Sequence, residues 1–155
     1  LNFTQTIATP IGICCVKATD EAIISINFSE QPVVGNPNRL TALGAAQLAE
    51  YFAGVRHIFE LPLMPVGTDF QRSVWQLLVE LPFGKTVSYT ELSVRFGNPK
   101  AIRALAAAIA KNPLAIVVPC HRVHGSDGSL TGYAWGLEKK RWLLTHEGAL
   151  PETLF

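Results

Sequence analysis

The chain has 155 residues, 48% apolar and 16% charged, enough to bury a core in one ordinary domain or two small ones and too apolar for disorder. No apolar run approaches the ~20 residues of a membrane span, and three cysteines, with Cys14 and Cys15 adjacent, exclude a disulfide framework and point to a reducing, cytoplasmic setting. The net charge of +1 names no partner but is unevenly spread: three basic against five acidic side chains over residues 1–65, ten against seven over residues 66–155.

Leu1 to Pro10 carries neither the basic start nor the apolar block of a signal peptide. Thr6–Ala8, Gly12–Lys17 and Ala22–Phe28 read as strands, broken at Pro10-Ile11-Gly12 and Thr19-Asp20-Glu21, and predict a small antiparallel meander. A loop over Gln31 to Asn38 precedes a helix over Leu40 to Phe52, which stops at Gly54. Ile58-Phe59-Glu60-Leu61 suggests a further strand, and Pro62 to Gly67 is the best candidate for a domain linker. Two domains are therefore expected, over residues 1–64 and 65–155.

Beyond the linker the period turns helical. Thr68 with Gln71 is a capping box for a helix that Pro82-Phe83-Gly84 ends, and Ser88 with Glu91 is a second one, for a short helix over Tyr89 to Phe96. Asn98-Pro99 then caps and opens a third helix, to Lys111, so the pair forms a helix-turn-helix. Ile102, Leu105 and Ile109 should pack inward, while Arg103, Ala106, Ala107 and Ala110 share a neighbouring face, one long cation among methyl groups. No acid falls between Glu91 and Asp127, where Arg95, Lys100, Arg103, Lys111 and Arg122 lie. That basic window fits a polyanion, and also a solvated face.

Ala115 to Val118 is a short buried run that ends in Pro119-Cys120-His121-Arg122-Val123. A free thiol is mostly protonated at neutrality unless a neighbour helps, and His121 is the obvious helper in sequence. By itself such a pair reads as a structural cysteine beside a surface histidine. A long glycine-rich loop runs from Val123 to Tyr133. The last helix, Leu137 to His146, should turn Leu137, Trp142, Leu143 and Leu144 inward and Lys139, Lys140 and Arg141 outward, and Glu147 sits at its acid-unfavourable end.

The pentapeptide Pro119 to Val123, with Asn112-Pro113 before it and Thr131-Gly132-Tyr133 and Leu143-Leu144-Thr145-His146-Glu147-Gly148 after it, resembles the methylated-DNA–protein-cysteine methyltransferases. These are the O6-alkylguanine-DNA alkyltransferases. The match is close over residues 66–149; the first part matches only in its meander-plus-helix layout. The resemblance implies an α/β (α+β) fold, with a small ribonuclease H-like N-terminal sheet and helix followed by a mostly helical winged-helix or helix-turn-helix domain.

For function it implies single-turnover transfer of an alkyl group from O6 of guanine, and on an open question O4 of thymine, to a Cys120 thiolate. His121 would be the base through a bridging water, Glu147 its orienter, and an imidazolium nearby would lower the thiol pKa. Asn112 would tie the cysteine turn to the recognition helix, and Tyr89 would help rotate the nucleotide and donate a proton to guanine N3. The recognition helix would enter the minor groove of double-stranded alkylated DNA, with Arg103 filling the place of the flipped base. Thr90, Asn98, Ser126 and, less securely aligned, Gln71 match phosphate-contact positions. Val123, Tyr133, Ala134 and Trp135 would wall the pocket. Trp135, where many members have glycine, would narrow it in favour of methyl groups.

No cofactor is implied, and Cys14, Cys15 and His57 have no recognisable metal-ligand spacing. The resemblance implies a monomer, with cooperativity on DNA left open. Three rivals fit parts of the pattern, one of them a plain helix-turn-helix regulator, which leaves the cysteine cluster without a role. Non-catalytic alkylguanine-lesion-binding proteins lack the cysteine that this chain keeps; a cysteine hydrolase built on Cys120, His121 and Glu147 gives Arg103 no role.

Overall fold

The computed structural model describes residues 2–150. They form two compact units, residues 2–66 with Pro113–Ala115, and residues 67–112 with 116–150.

The first unit is the expected meander. Strands β1 (Phe3–Thr9), β2 (Gly12–Ala18) and β3 (Ile23–Ser29) pair antiparallel in the order β1-β2-β3, with Ile7 opposite Cys14 and Val16 opposite Ile26. Cys14, Val16, Ala18, Ile23 and Ile26 are buried. Helix α1 (Arg39–Phe52) covers them with Leu40, Leu48 and Tyr51. Gly44 lets it come close: a Cβ there would lie 3.0 Å from Ile23 Cδ1 and 3.1 Å from Val16 Cγ1. The helix begins in a full capping box, Asn38 Oδ1 accepting from the Thr41 amide at 2.8 Å and the Asn38 amide donating to Thr41 Oγ1 at 2.8 Å.

The strand expected at Ile58–Leu61 is absent. Ile58 is exposed, and the chain makes only an isolated bridge between Leu63 and Ile23. Gln47 reaches out of α1 to bond both backbone groups of Glu60, holding this segment as a loop. On the other side of β3, Ile26 exchanges backbone hydrogen bonds with Pro113 and Ala115, which is how that short segment joins the first unit.

The second unit is mostly helical: α2 (Asp69–Val79), α3 (Tyr89–Arg95), α4 (Ile102–Ala110) and α5 (Leu137–His146), with a two-residue parallel pair between β4 (Val87–Ser88) and β5 (Val123–His124). The Thr68–Gln71 capping box is present. At α3 only half of the second one forms: Ser88 Oγ accepts from the Glu91 amide, while Glu91 turns its carboxylate to Arg95. The third helix starts as a 3-10 turn, Pro99–Ala101, and Asn98 makes no side-chain cap bond. Trp75 is buried and donates its indole N–H to the Ala108 carbonyl at 2.8 Å, fixing α2 on α4. No helix among the described residues is long and apolar enough to cross a membrane.

Replacing Asn38 by Ala removes the cap of α1 and its bond to the Thr19 carbonyl. The expected cost is about 1 kcal/mol, measured as a lower urea midpoint in equilibrium unfolding; an unchanged midpoint contradicts it.

Candidate active site

Helix α4 ends at Ala110, and the side-chain amide of Asn112, two residues on, builds the next turn. It donates to the Val118 carbonyl at 2.8 Å and reaches Cys120 Sγ at 3.3 Å. Between them Pro119 (φ −82°, ψ 63°) makes an inverse γ-turn, closed by Cys120 N–H on the Val118 carbonyl at 2.8 Å. Upstream, Ile116 is held at φ 73°, costly for a buried β-branched residue. Cys120, His121 and Arg122 then form a single 3-10 turn, all three buried.

Glu147 caps the far end of α5 and points its carboxylate inward. Its Oε2 lies 2.7 Å from His121 Nε2 and 3.0 Å from Arg122 Nη2, and its Oε1 lies 2.8 Å from Arg122 Nε. The remaining guanidinium nitrogen donates to the Leu81 carbonyl at 2.6 Å. The placement that looks unfavourable against the helix dipole is thus offset by a buried cation and an imidazole. His121 and Arg122 hold the Glu147 carboxyl well below the ordinary carboxylate range, against the opposing effect of burial.

An ionised carboxylate only accepts, so Nε2 of His121 carries the hydrogen and Nδ1 presents a bare lone pair. That Nδ1 is buried with no hydrogen-bond partner in the protein. Burial depresses the His121 pKa more than Glu147 raises it, so the ring is neutral. Burial likewise pushes the Cys120 thiol up to about 11, with Asn112 and then Lys140 pulling the other way. The expectation of a thiol lowered by an imidazolium is therefore corrected. The free protein holds a neutral thiol and a neutral imidazole, because desolvation outweighs every neighbour.

Cys120 opens onto a cavity of about 470 Å³. Tyr89 at the start of α3, Ala106, Ile109 and Ala110 of α4, and Thr131 to Ala134 of the loop line it. Tyr133 and Ala134 thus lie where the sequence placed them. Val123 does not: it is fully buried, paired with Val87. Trp135 is not in the lining either and packs edge-on against Tyr133, ring centroids 5.3 Å apart, so any narrowing has to act through Tyr133. Tyr89 is held protonated by burial, its side chain hydrogen-bonded to that of Thr131.

Arg103 is exposed on α4 beside exposed Ala107 and Ala110. Thr90 and Ser126, both exposed, hydrogen-bond to each other through their hydroxyls. Asn98 is exposed as well. The Gln71 carbonyl oxygen is committed to the Thr68 amide, which leaves its NH2 group for other contacts. Among the described residues no cluster of three or more His, Cys, Asp or Glu stands together to hold a metal ion.

One residue escaped the sequence. Lys140, expected to point outward, is fully buried and donates to the carbonyls of Val123 (2.6 Å), Thr131 (2.8 Å) and Gly132 (3.3 Å). Conversely, Leu137 is 44% exposed. The helical period is too coarse to choose among three consecutive cations, Lys139, Lys140 and Arg141.

A buried thiol at the mouth of a cavity, walled on one side by the second helix of a helix-turn-helix, defines a cysteine-centred protein of α+β class. Known proteins narrow this further. Residues 69–149 match the family model described as 6-O-methylguanine DNA methyltransferase, DNA binding domain, and residues 2–65 match its ribonuclease-like domain. The methylated-DNA–protein-cysteine methyltransferase of Methanosarcina barkeri is 54% identical over 148 residues, covering 91% of this chain and 94% of the relative. That of Haemophilus influenzae is 40% identical over 147 residues, covering 90% and 82%.

Among solved structures, the Mycobacterium tuberculosis O6-methylguanine methyltransferase superposes with a TM-score of 0.86 at 37% identity, over 97% of this chain and 95% of the other. The M. tuberculosis protein in complex with DNA gives 0.86 at 39%, over 94% and 92%. The chain belongs to the 6-O-methylguanine DNA methyltransferase family.

Two outcomes are expected. Replacing Glu147 by Ala leaves Arg122 buried and unpaired and costs about 3 kcal/mol or more in unfolding free energy, whereas breaking the exposed Arg95–Glu91 pair costs under ~0.5 kcal/mol. Modification of Cys120 by iodoacetamide, read by peptide mass, rises steadily with pH from 7 to 10, because the thiolate fraction grows until pH passes about 11. A plateau near neutrality contradicts the buried-thiol assignment.

Proposed function

We propose that the chain repairs O6-alkylguanine in double-stranded DNA by moving the alkyl group irreversibly to Cys120. The observation that carries this reading is the cavity itself, with the Cys120 sulfur and the α4 face beside Arg103 on one wall, and an unsatisfied imidazole nitrogen buried one residue from the thiol. All of these residues fall within the domain of residues 65–155, and the cavity needs no second copy, so the protein acts as a monomer. The three cysteines stand outside any disulfide, which suits a reducing cytoplasm.

Helix α4 lies in the minor groove. Its alanines allow close approach, and Arg103 takes the place of the flipped base, whose extrusion costs a few kcal/mol. Thr90, Ser126 and Asn98, with the Gln71 amide, bind backbone phosphates. The base enters the cavity against Tyr133 and Ala134, its O-alkyl carbon toward sulfur.

The thiol proton passes through a bridging water to Nδ1 of His121, while Glu147 holds the ring and stabilises its charge. The sulfur lone pair forms the S–C bond as the C–O6 bond breaks, and the electron pair stays on guanine. Tyr89 gives guanine N3 a proton and regains one from the imidazolium through solvent. The thiol proton thus ends on the base. Cys120 is left as a thioether with no group beside it to cleave it, so each molecule acts once and no cofactor enters the balance.

Incubation with a duplex carrying one O6-methylguanine adds the mass of one methyl-for-hydrogen exchange at Cys120, to one equivalent, and Cys120→Ala abolishes it. Binding without mass gain supports a lesion-binding protein instead; turnover past one equivalent supports a hydrolase. Arg103→Ala slows transfer from duplex DNA by about 2 kcal/mol, ~30-fold, and leaves reaction with the free base nearly unchanged. Equal loss on both substrates removes Arg103 from base flipping.

A further inference from the structure

The phenol of Tyr89 is hydrogen-bonded to the side chain of Thr131. The two come from different elements, Tyr89 from the start of α3 and Thr131 from the loop after β5. Both line the cavity onto which Cys120 opens. Each is held from behind: Ser88 caps α3 immediately before Tyr89, and the Thr131 carbonyl accepts from Lys140 at 2.8 Å. The contact therefore spans the cavity wall between two anchored segments, beside the sulfur.

In the transfer described above, Tyr89 gives up its proton in a half-buried site, and burial disfavours the phenolate that results. Burial is the largest influence on Tyr89 and holds its proton on; the bond to Thr131 acts in the opposite sense, and a charged Cys120 again holds the proton. The last of these changes during the reaction. Once the S–C bond has formed, the sulfur is a neutral thioether and its hold on the phenol proton is gone. The Thr131 hydroxyl is then the neighbour that favours release.

We propose that Thr131 is a positioning residue for proton delivery: its hydroxyl donates to the Tyr89 oxygen, directs the phenol proton at guanine N3 and stabilises the phenolate left behind. The proposal rests on the reading of Cys120 as the alkyl acceptor and of Tyr89 as the proton donor to the base.

A hydroxyl has one proton and two lone pairs. With the Tyr89 proton directed at N3, the phenol oxygen can only accept, so Thr131 is the donor between them. As the proton crosses to the base, this bond becomes charge-assisted, shorter and about twice as strong. It strengthens as the base departs rather than when the base binds, which raises the rate of transfer and leaves affinity alone. No proton leaves Thr131, and the phenolate regains its own from the imidazolium, so the balance of the reaction is unchanged.

Thr131→Val removes the hydroxyl at nearly constant shape, and Thr131→Ser keeps it; each is checked for a native circular dichroism spectrum. Single-turnover methyl transfer is measured on two duplexes, one carrying O6-methylguanine and one carrying the analogue in which N3 is replaced by C–H. On O6-methylguanine, Thr131→Val lowers the saturating rate about tenfold at unchanged affinity for undamaged duplex, and Thr131→Ser keeps the wild-type rate. On the analogue, which has no N3 to protonate, the wild type is itself slower and Thr131→Val matches it.

A folded Thr131→Val with the wild-type rate on O6-methylguanine overturns the proposal. So does an equal loss on both duplexes, or a serine variant as slow as the valine one, since either reports pocket shape rather than a lost donor. Where Thr131→Val does not fold, Thr131→Ala removes the same hydroxyl and is judged by the same outcomes. A wild type that is equally fast on both duplexes removes the proton donation by Tyr89, and this proposal with it, while Cys120 stands as the acceptor. A wild type that takes a methyl group from neither removes the functional reading as a whole.

Discussion

The second unit depends on one buried carboxylate. Glu147 engages His121 and Arg122 within 2.7–3.0 Å, and Arg122 goes on to the Leu81 carbonyl beyond the end of α2. Three pieces of chain distant in sequence are thus fixed by one charged cluster: the exit of α2, the cysteine turn and the C-terminus of α5. A buried ion pair of this kind adds little net stability, because desolvation consumes most of the Coulomb gain. Its value lies in geometry. With Nε2 bound to the carboxylate, the imidazole can neither flip nor change tautomer, and Nδ1 is left as its sole acceptor.

The same burial that builds this cluster sets the state of the sulfur. A thiol pushed up to about 11 is a poor nucleophile in the free protein. For a residue that reacts once and is not regenerated, that is protective: small electrophiles meet a buried, neutral thiol. The groups that favour ionisation, Asn112 at 3.3 Å and then Lys140, are outweighed by that burial. The transfer proposed above draws on a nearby imidazole of fixed tautomer rather than on a depressed thiol pKa.

Much of this was legible in the sequence because it is local. The meander follows from turn residues and β-branched runs, α1 and α2 from their caps, and the Arg103 face from a helical period that the structure reproduces in its exposed residues. The Cys-His-Arg turn and Glu147 were legible through a motif, although their protonation was not, since desolvation depends on what the rest of the chain stacks over them. Lys140 was hidden for the opposite reason. A lysine between two charged neighbours reads as surface, and only the loop carbonyls that fold over it make it interior. Val123 and Trp135 were misplaced because a strand pair and an aromatic contact turn them from the cavity. Ile58 to Leu61 had the composition of a strand but no partner beyond the single bridge at Leu63.

Helix α4 joins the two halves of the proposed function. Its exposed face carries Arg103, the residues a turn later line the cavity, and Asn112, just past its last turn, holds both the Val118 carbonyl and the cysteine sulfur. The indole of Trp75 anchors its middle through the Ala108 carbonyl. A helix rises about 1.5 Å per residue, so Arg103 and Asn112 stand roughly 14 Å apart on one rigid rod. Ile116, at φ 73°, lies between Asn112 and the cysteine turn. Through Asn112, α4 therefore links its exposed Arg103 face to the cysteine turn on which the proposed chemistry rests.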